Sequence, residues 1–196
     1  MRASALALTL AVTLIAAPAA FAQAPGATQP NTAPAPSTGG VAYGEPNPMT
    51  TEVVAGPQAT LLPNGLAAAP ETAPQEVKDA IVAANEIVGM PYVYGGGHNA
   101  RFAGKGYDCS GTVSYALHGG NLLETPLDSG SFMRWGERGP GSWITVYSNT
   151  GHAFAVIAGL RLDTSTAGDP SGAKGPRWRP APRSTKGYKA RHPIGF

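Results

Sequence analysis

Cysteine is almost missing from this chain: Cys109 is the one residue of its type among 196. A lone cysteine excludes an intrachain disulfide framework, and none of the histidines stands at zinc-site spacing from it, so no metal and no other cofactor is expected. Charge is sparse as well. The 14 Lys and Arg against 12 Asp and Glu leave a formal net charge of +2, which selects no class of partner. Nucleic acid is not expected, because no motif that reads it is present. Long apolar runs are absent after the N-terminal segment, so no membrane span is expected. Gly95-Gly96-Gly97 and Gly104-Lys105-Gly106 lack the Gly-Lys-Ser/Thr ending of a phosphate loop.

The N-terminal segment has its own grammar. Arg2 precedes the uncharged, mostly apolar run Ala5 to Ala17, and Ala20-Phe21-Ala22 offers small residues at a cleavage-site spacing. Residues 1–22 therefore read as a signal peptide, and the chain is expected to be exported, to the periplasm or the cell wall. In that setting an unpaired thiol is a candidate nucleophile. Residues 23–71, dominated by Ala, Pro, Gly, Thr and Asn, read as a flexible linker. Within it only Val53-Val54 and Leu61-Leu62 offer apolar patches that could dock.

Residues 72–196 are long enough for one core and too short for two. Thr72-Ala73-Pro74-Gln75 has the form of a capping box. Val77, Ala80, Ile81, Ala84, Ile87 and Val88 then recur at helical spacing, which predicts a helix over 73–88 ended by Gly89. A second helix is expected from Cys109 or Ser110 to about His118, burying Val113, Ala116 and Leu117, with a helical turn near Ser131 to Trp135. The pattern then changes. Trp143 to Tyr147 is β-rich, His152 to Ile157 reads as a strand, and a tight turn near Gly159 leads back through Leu160 to Asp163. Helices first and strands afterwards predict an α+β domain with helices packed on an antiparallel sheet. From Lys174 onward basic residues occur with no acidic one, which reads as a solvated surface able to touch an anionic polymer.

A thiol is a good nucleophile only as thiolate, and a helix N-terminus or a neighbouring imidazole lowers its pKa. Cys109 falls at the expected start of the second helix, where free N–H groups could also hold an oxyanion. His152 opens an apolar strand, where the pleat fixes its direction, and is the best candidate base. His98, His118 and His192 lie in a glycine loop, at the far end of the helix and in the tail. Asp163 is placed to orient His152, with Thr164 and Ser165 as alternatives, because a one-residue slip of the hairpin reverses the face.

Pro91-Tyr92-Val93-Tyr94-Gly95-Gly96, Tyr107-Asp108-Cys109-Ser110-Gly111 and Gly151-His152 together resemble the motifs of NlpC-type cell-wall cysteine peptidases, over residues 73 to 166. The resemblance implies a papain-like α+β domain that cleaves an amide in peptidoglycan stem peptides, at the bond between D-glutamate and a diamino acid. By position it makes Cys109 the nucleophile, His152 the base and Asp163 the third polar residue. Tyr94, or second to it Tyr92, would lie near the oxyanion and the substrate, and Asp108 and Ser110 flank the nucleophile where some members of the family recognise the stem peptide. A monomer is expected. The family's Pro-Gly-Asp-Leu type segment is replaced here by Gly139-Pro140-Gly141-Ser142-Trp143, and its third residue is more often His, Asn or Gln than Asp. After Thr166 no family motif is seen, and Gly175 to Arg179 is expected to cover a sheet edge. The alternatives are a peptidoglycan-binding protein without turnover, or an acyltransferase using the same Cys/His pair.

Overall fold

The computed structural model describes residues 52–179 and 182–196. The signal peptide expected at 1–22 and the linker up to residue 51 lie outside them. The described residues form an α+β domain. Strands β1 (Val53–Val54), β2 (Thr60–Leu61) and β3 (Ala67–Pro70) make a three-stranded sheet in the order β1-β3-β2. Helices α1 (Gln75–Ile87), α2 (Cys109–Gly119) and the short α3 (Ser129–Phe132) follow. Then come β4 (Glu137–Arg138), β5 (Ile144–Ser148), β6 (Ala153–Ile157), β7 (Leu160–Asp163), β8 (Arg177–Arg179) and β9 (Lys189–His192). These six strands form one antiparallel sheet in the order β4-β9-β5-β6-β7-β8.

Folded structure thus begins before residue 72, and the linker boundary at 71 is corrected. Composition argued for flexibility because residues 52–71 hold few bulky apolar side chains. Three methyl groups suffice, because the strand lies flush against α1: Ala67, Ala68 and Ala69 are buried. Asn85 on α1 clasps this strand. Its Nδ2 donates to the Ala67 carbonyl, and its Oδ1 accepts from the Ala67 N–H, each at 2.9 Å. The same Oδ1 accepts from the Trp178 indole at 2.7 Å, so one amide joins β3, α1 and β8.

Helix α1 buries the stripe that its periodicity defines, Val77, Ala80, Ile81, Ala84 and Ile87. The capping box does not form. The Thr72 hydroxyl donates instead to the Gly56 carbonyl, and Pro74 occupies the cap position without a side-chain bond. The competing acceptor comes from the folded 52–71 segment. Helix α2 packs so closely on α1 that a Cβ on Gly119 would stand 2.2 Å from the Cβ of Ala83. Val113, Ala116 and Leu117 are buried as expected, together with Ile144, Val146, Ala153, Ala155, Ile157 and Leu162 of the sheet.

The β6–β7 hairpin turns through Ala158 and Gly159, both at positive φ (47° and 83°), as a two-residue turn matching strand twist requires. The basic tail is a second correction. Arg177–Arg179 does cover the edge of β7, but Lys189–His192 runs inside the sheet between β4 and β5, and Arg179 is 1% exposed. Arg179 is answered by Asp169 and by the Asp163 and Gly175 carbonyls. Charge alone cannot reveal such a segment, because its acidic and carbonyl partners lie elsewhere in the sequence. No helix among the described residues is long and apolar enough to cross a membrane.

Asn85→Ala would leave the Ala67 backbone pair and the Trp178 indole without partners. It should cost about 2 kcal/mol of stability in a denaturant titration, whereas Asn85→Asp should retain part of it through its acceptor oxygen.

Candidate active site

Helix α2 begins at Cys109 because Asp108 caps it. The Asp108 backbone is extended, and its Oδ1 accepts from the Gly111 N–H at 2.7 Å. An Asp before a polar and glycine-containing first turn is a strong start signal. The same carboxylate gathers the glycine loop: Oδ2 accepts from the Gly95 N–H at 3.0 Å, and Oδ1 meets His98 Nε2 at 2.9 Å and the Ser110 hydroxyl at 3.2 Å. Loop and helix touch at Gly111, where a Cβ would stand 2.0 Å from the Gly96 carbonyl oxygen. Glycine is required there.

At the facing strand, His152 Nε2 hydrogen-bonds Asp163 Oδ1 at 2.9 Å. The ladder pairs Ala155 with Leu162 and Val156 with Arg161. Continued by one step, that register sets Phe154 opposite Asp163, on the face that His152 shares by alternation. Of the hairpin alternatives, it is the Asp163 carboxylate that reaches the ring. Ser165 contributes its backbone N–H to Asp163 Oδ1 at 2.9 Å, and neither its hydroxyl nor that of Thr164 holds the ring. Asp163 Oδ2 accepts from Arg183 Nη1 at 2.8 Å, a bond from the tail that sequence reading did not assign.

With Nε2 engaged by Asp163, the His152 ring also lies close enough to the Cys109 thiol for each group to shift the other's titration. Burial pushes the thiol pKa up. The His152 hydrogen bond, the Ala153 backbone N–H and the imidazole charge outweigh it, and the thiol titrates below its ordinary 9.0. His152 shows the reciprocal effect. Burial lowers its pKa, but the bonds to Asp163 and Cys109 raise it from 6.5 to about 9. Asp163 is 1% exposed, and although burial raises its pKa, the donors around it hold the carboxyl below its usual value. These opposed shifts favour a thiolate–imidazolium pair. Cys109 is buried, with 8% of its residue surface exposed.

The remaining candidates separate. Tyr94 is 91% exposed and turned away from enclosure. Tyr92, the second choice, is nearer: burial raises its pKa first, and the negative charges of Cys109 and Asp108 add to it. Asp108 and Ser110 are buried and engaged with the cap and His98. His98 reaches Asp108 and Ser110 by closure of its glycine loop, which neither periodicity nor spacing marks in the sequence. His118 stacks on Phe102 and donates from Nδ1 to the Leu123 carbonyl, while His192 pairs with Glu137. Among the described residues no group of three or more His, Cys, Asp or Glu is placed to hold a metal.

No family model matches this chain, and no curated protein does. Among solved structures, Rv1477, a hypothetical invasion protein of Mycobacterium tuberculosis, is similar at 24% identity with a TM-score of 0.45. The likeness covers 62% of this chain and 64% of that one, so this chain spans less than two thirds of its length.

Alkylation of Cys109 by iodoacetamide should follow a pH curve centred below 9.0. His152→Ala removes the bond and the charge that lower the thiol pKa and leaves burial, which raises it. The curve should then move to higher pH, and an unmoved midpoint would show that the imidazole does not activate the sulfur.

Proposed function

We propose that this chain is a thiol peptidase that hydrolyses an amide bond in peptidoglycan stem peptides outside the cytoplasmic membrane. One observation carries the reaction class: the His152 ring that bonds the buried Asp163 carboxylate is also near enough to the Cys109 thiol to lower its pKa. The substrate class rests on the resemblance of the Tyr-x-Tyr-Gly-Gly and Asp-Cys-Ser-Gly motifs to NlpC-type peptidases, which also suggests a papain-like arrangement and the D-glutamate–diamino acid bond. The expected export rests on residues 1–22.

In this mechanism the Cys109 thiolate attacks the amide carbonyl carbon and forms a C–S bond. The oxyanion develops beside the N–H groups of Cys109 and Ser110, which open α2 with no backbone partner among the described residues. His152 as imidazolium gives its proton to the amide nitrogen, the C–N bond breaks and the amine leaves. Neutral His152 then takes a proton from water, whose oxygen attacks the thioester carbonyl. Collapse of that adduct breaks the C–S bond, and the acid product departs while thiolate and imidazolium are restored. Asp163 holds the ring in position and stabilises its charged form; Arg183 and the Ser165 N–H keep Asp163 ionised.

Mass spectrometry of defined muropeptides should show cleavage by the mature protein and none by Cys109→Ala, with both retaining the same thermal unfolding profile. Cleavage by that variant sinks the proposal, as does intact substrate with the wild type. Products that depend on an added amine would instead mark acyl transfer.

The active ion pair exists above the thiol pKa and below that of His152, so kcat/KM should be bell-shaped with its alkaline limb near 9. Asp163→Asn removes the partner that raises the imidazole pKa. Its alkaline limb should shift to lower pH, with a fall in kcat of roughly 10²-fold or more.

A further inference from the structure

A cavity of about 310 Å³ lies on the sheet face that carries Phe154 and Val156, walled by these two, Leu160, Arg161, Pro182 and Arg183. Cys109 and His152 are not among its walls. Arg161 is 3% exposed, and its Nε, Nη1 and Nη2 have no hydrogen-bond partner among the described residues. Its nearest carboxylate oxygen, Asp163 Oδ2, is 3.8 Å from Nε and already accepts from Arg183. The neighbouring guanidinium groups are satisfied. Arg179 bonds to Asp169 and to the Asp163 and Gly175 carbonyls, and Arg183 bonds to Asp163 and to the Tyr188 hydroxyl. Three buried or part-buried arginines therefore share two carboxylates, Asp163 and Asp169.

An arginine cannot shed its proton to relieve such a position. Burial, together with the charges of Arg183 and Arg179, disfavours its charged form. Buried guanidinium groups are ordinarily held by a carboxylate or phosphate in a forked arrangement, and this one has none. The cavity that Arg161 lines, about 310 Å³, is large enough to admit one.

We propose that this cavity binds a small oxyanion, the carboxylate or phosphate group of a ligand, with Arg161 as its counter-ion. The site adjoins the thiol machinery through Arg183 and Asp163, but anion binding there does not require the thiol reaction. Phe154, Val156, Leu160 and Pro182 surround the charged group with apolar walls, which suits an organic carboxylate with a short apolar body. Inorganic phosphate would use the charge and leave those walls bare.

Thermal unfolding of the full chain should be followed in acetate, benzoate and phosphate, each titrated against chloride at matched ionic strength. At least one of them should raise Tm progressively with the logarithm of its concentration, as binding to the folded state alone requires. A response to benzoate alone assigns an organic carboxylate, and a response to phosphate alone assigns a phosphate group. Arg161→Met removes the counter-ion and should abolish the response while matching or exceeding the wild-type Tm in chloride, since an unanswered buried charge is lost. Val156→Phe keeps the arginine and fills the cavity, and should abolish the response independently. A Tm rise equalled by chloride, or equal in the wild type and both variants, overturns the site.

Discussion

The buried carboxylate of Asp163 is the constraint around which this domain is organised. A carboxylate out of contact with water must be met by donors or lose its charge. Its donors come from three separate parts of the chain: the imidazole of His152 before β6, the Ser165 amide in the turn after β7, and Arg183 in the C-terminal segment. Satisfying one side chain thus fixes the direction of the imidazole, the course of the chain after β7 and the seating of the tail. The geometry that serves reactivity and the geometry that serves folding are the same set of bonds.

A second organising group sits across the site. Asp108 caps α2, anchors the glycine loop and pairs with His98, so the helix tip bearing Cys109 is held from its own side and from the loop. The sulfur is positioned by α2 and the imidazole by the sheet, and the core between them sets their separation. Val113 and Leu117 pack beneath the sulfur's helix, with Ala153 and Ala155 beneath the imidazole's strand. Small side chains at that junction let the helix come close to the strand.

Much of this was legible from residue order. The α1 stripe from Val77 to Ile87, the start of α2 at Cys109 and the tight turn at Gly159 announce themselves through period, cap and turn chemistry. Cys109 and His152 were readable because one is unique and the other opens an apolar strand. Asp163 was readable only as one of three consecutive residues, since register and not composition separates it from Thr164 and Ser165. What escaped was long-range. The strand of alanines at 67–69 has no bulky side chains to mark it, and its partner Asn85 looks like any polar residue on a helix. His98 reaches the helix tip by closure of a loop without periodicity. The arginines of the tail look solvated until their partners, Asp163 and Asp169, are brought near by the sheet. Tyr94 and Tyr92 differ by one alternation, and an irregular loop gives no rule for choosing between them.

The position of β9 has a consequence for how the molecule comes into being. Residues 189–192 lie between β4 and β5, so β4 has no partner in the sheet and one side of β5 stays open until this late segment has emerged. The ladder from β5 to β9 closes a long loop, and such distant pairings form late because their closure entropy comes before their reward. A nascent chain would carry its helices and the β6–β7 hairpin well before it acquires a finished platform. Arg183 arrives in the same late stretch, so assembly of the sheet and anchoring of the imidazole's partner are completed together, and the thiol gains its full surroundings only as folding ends.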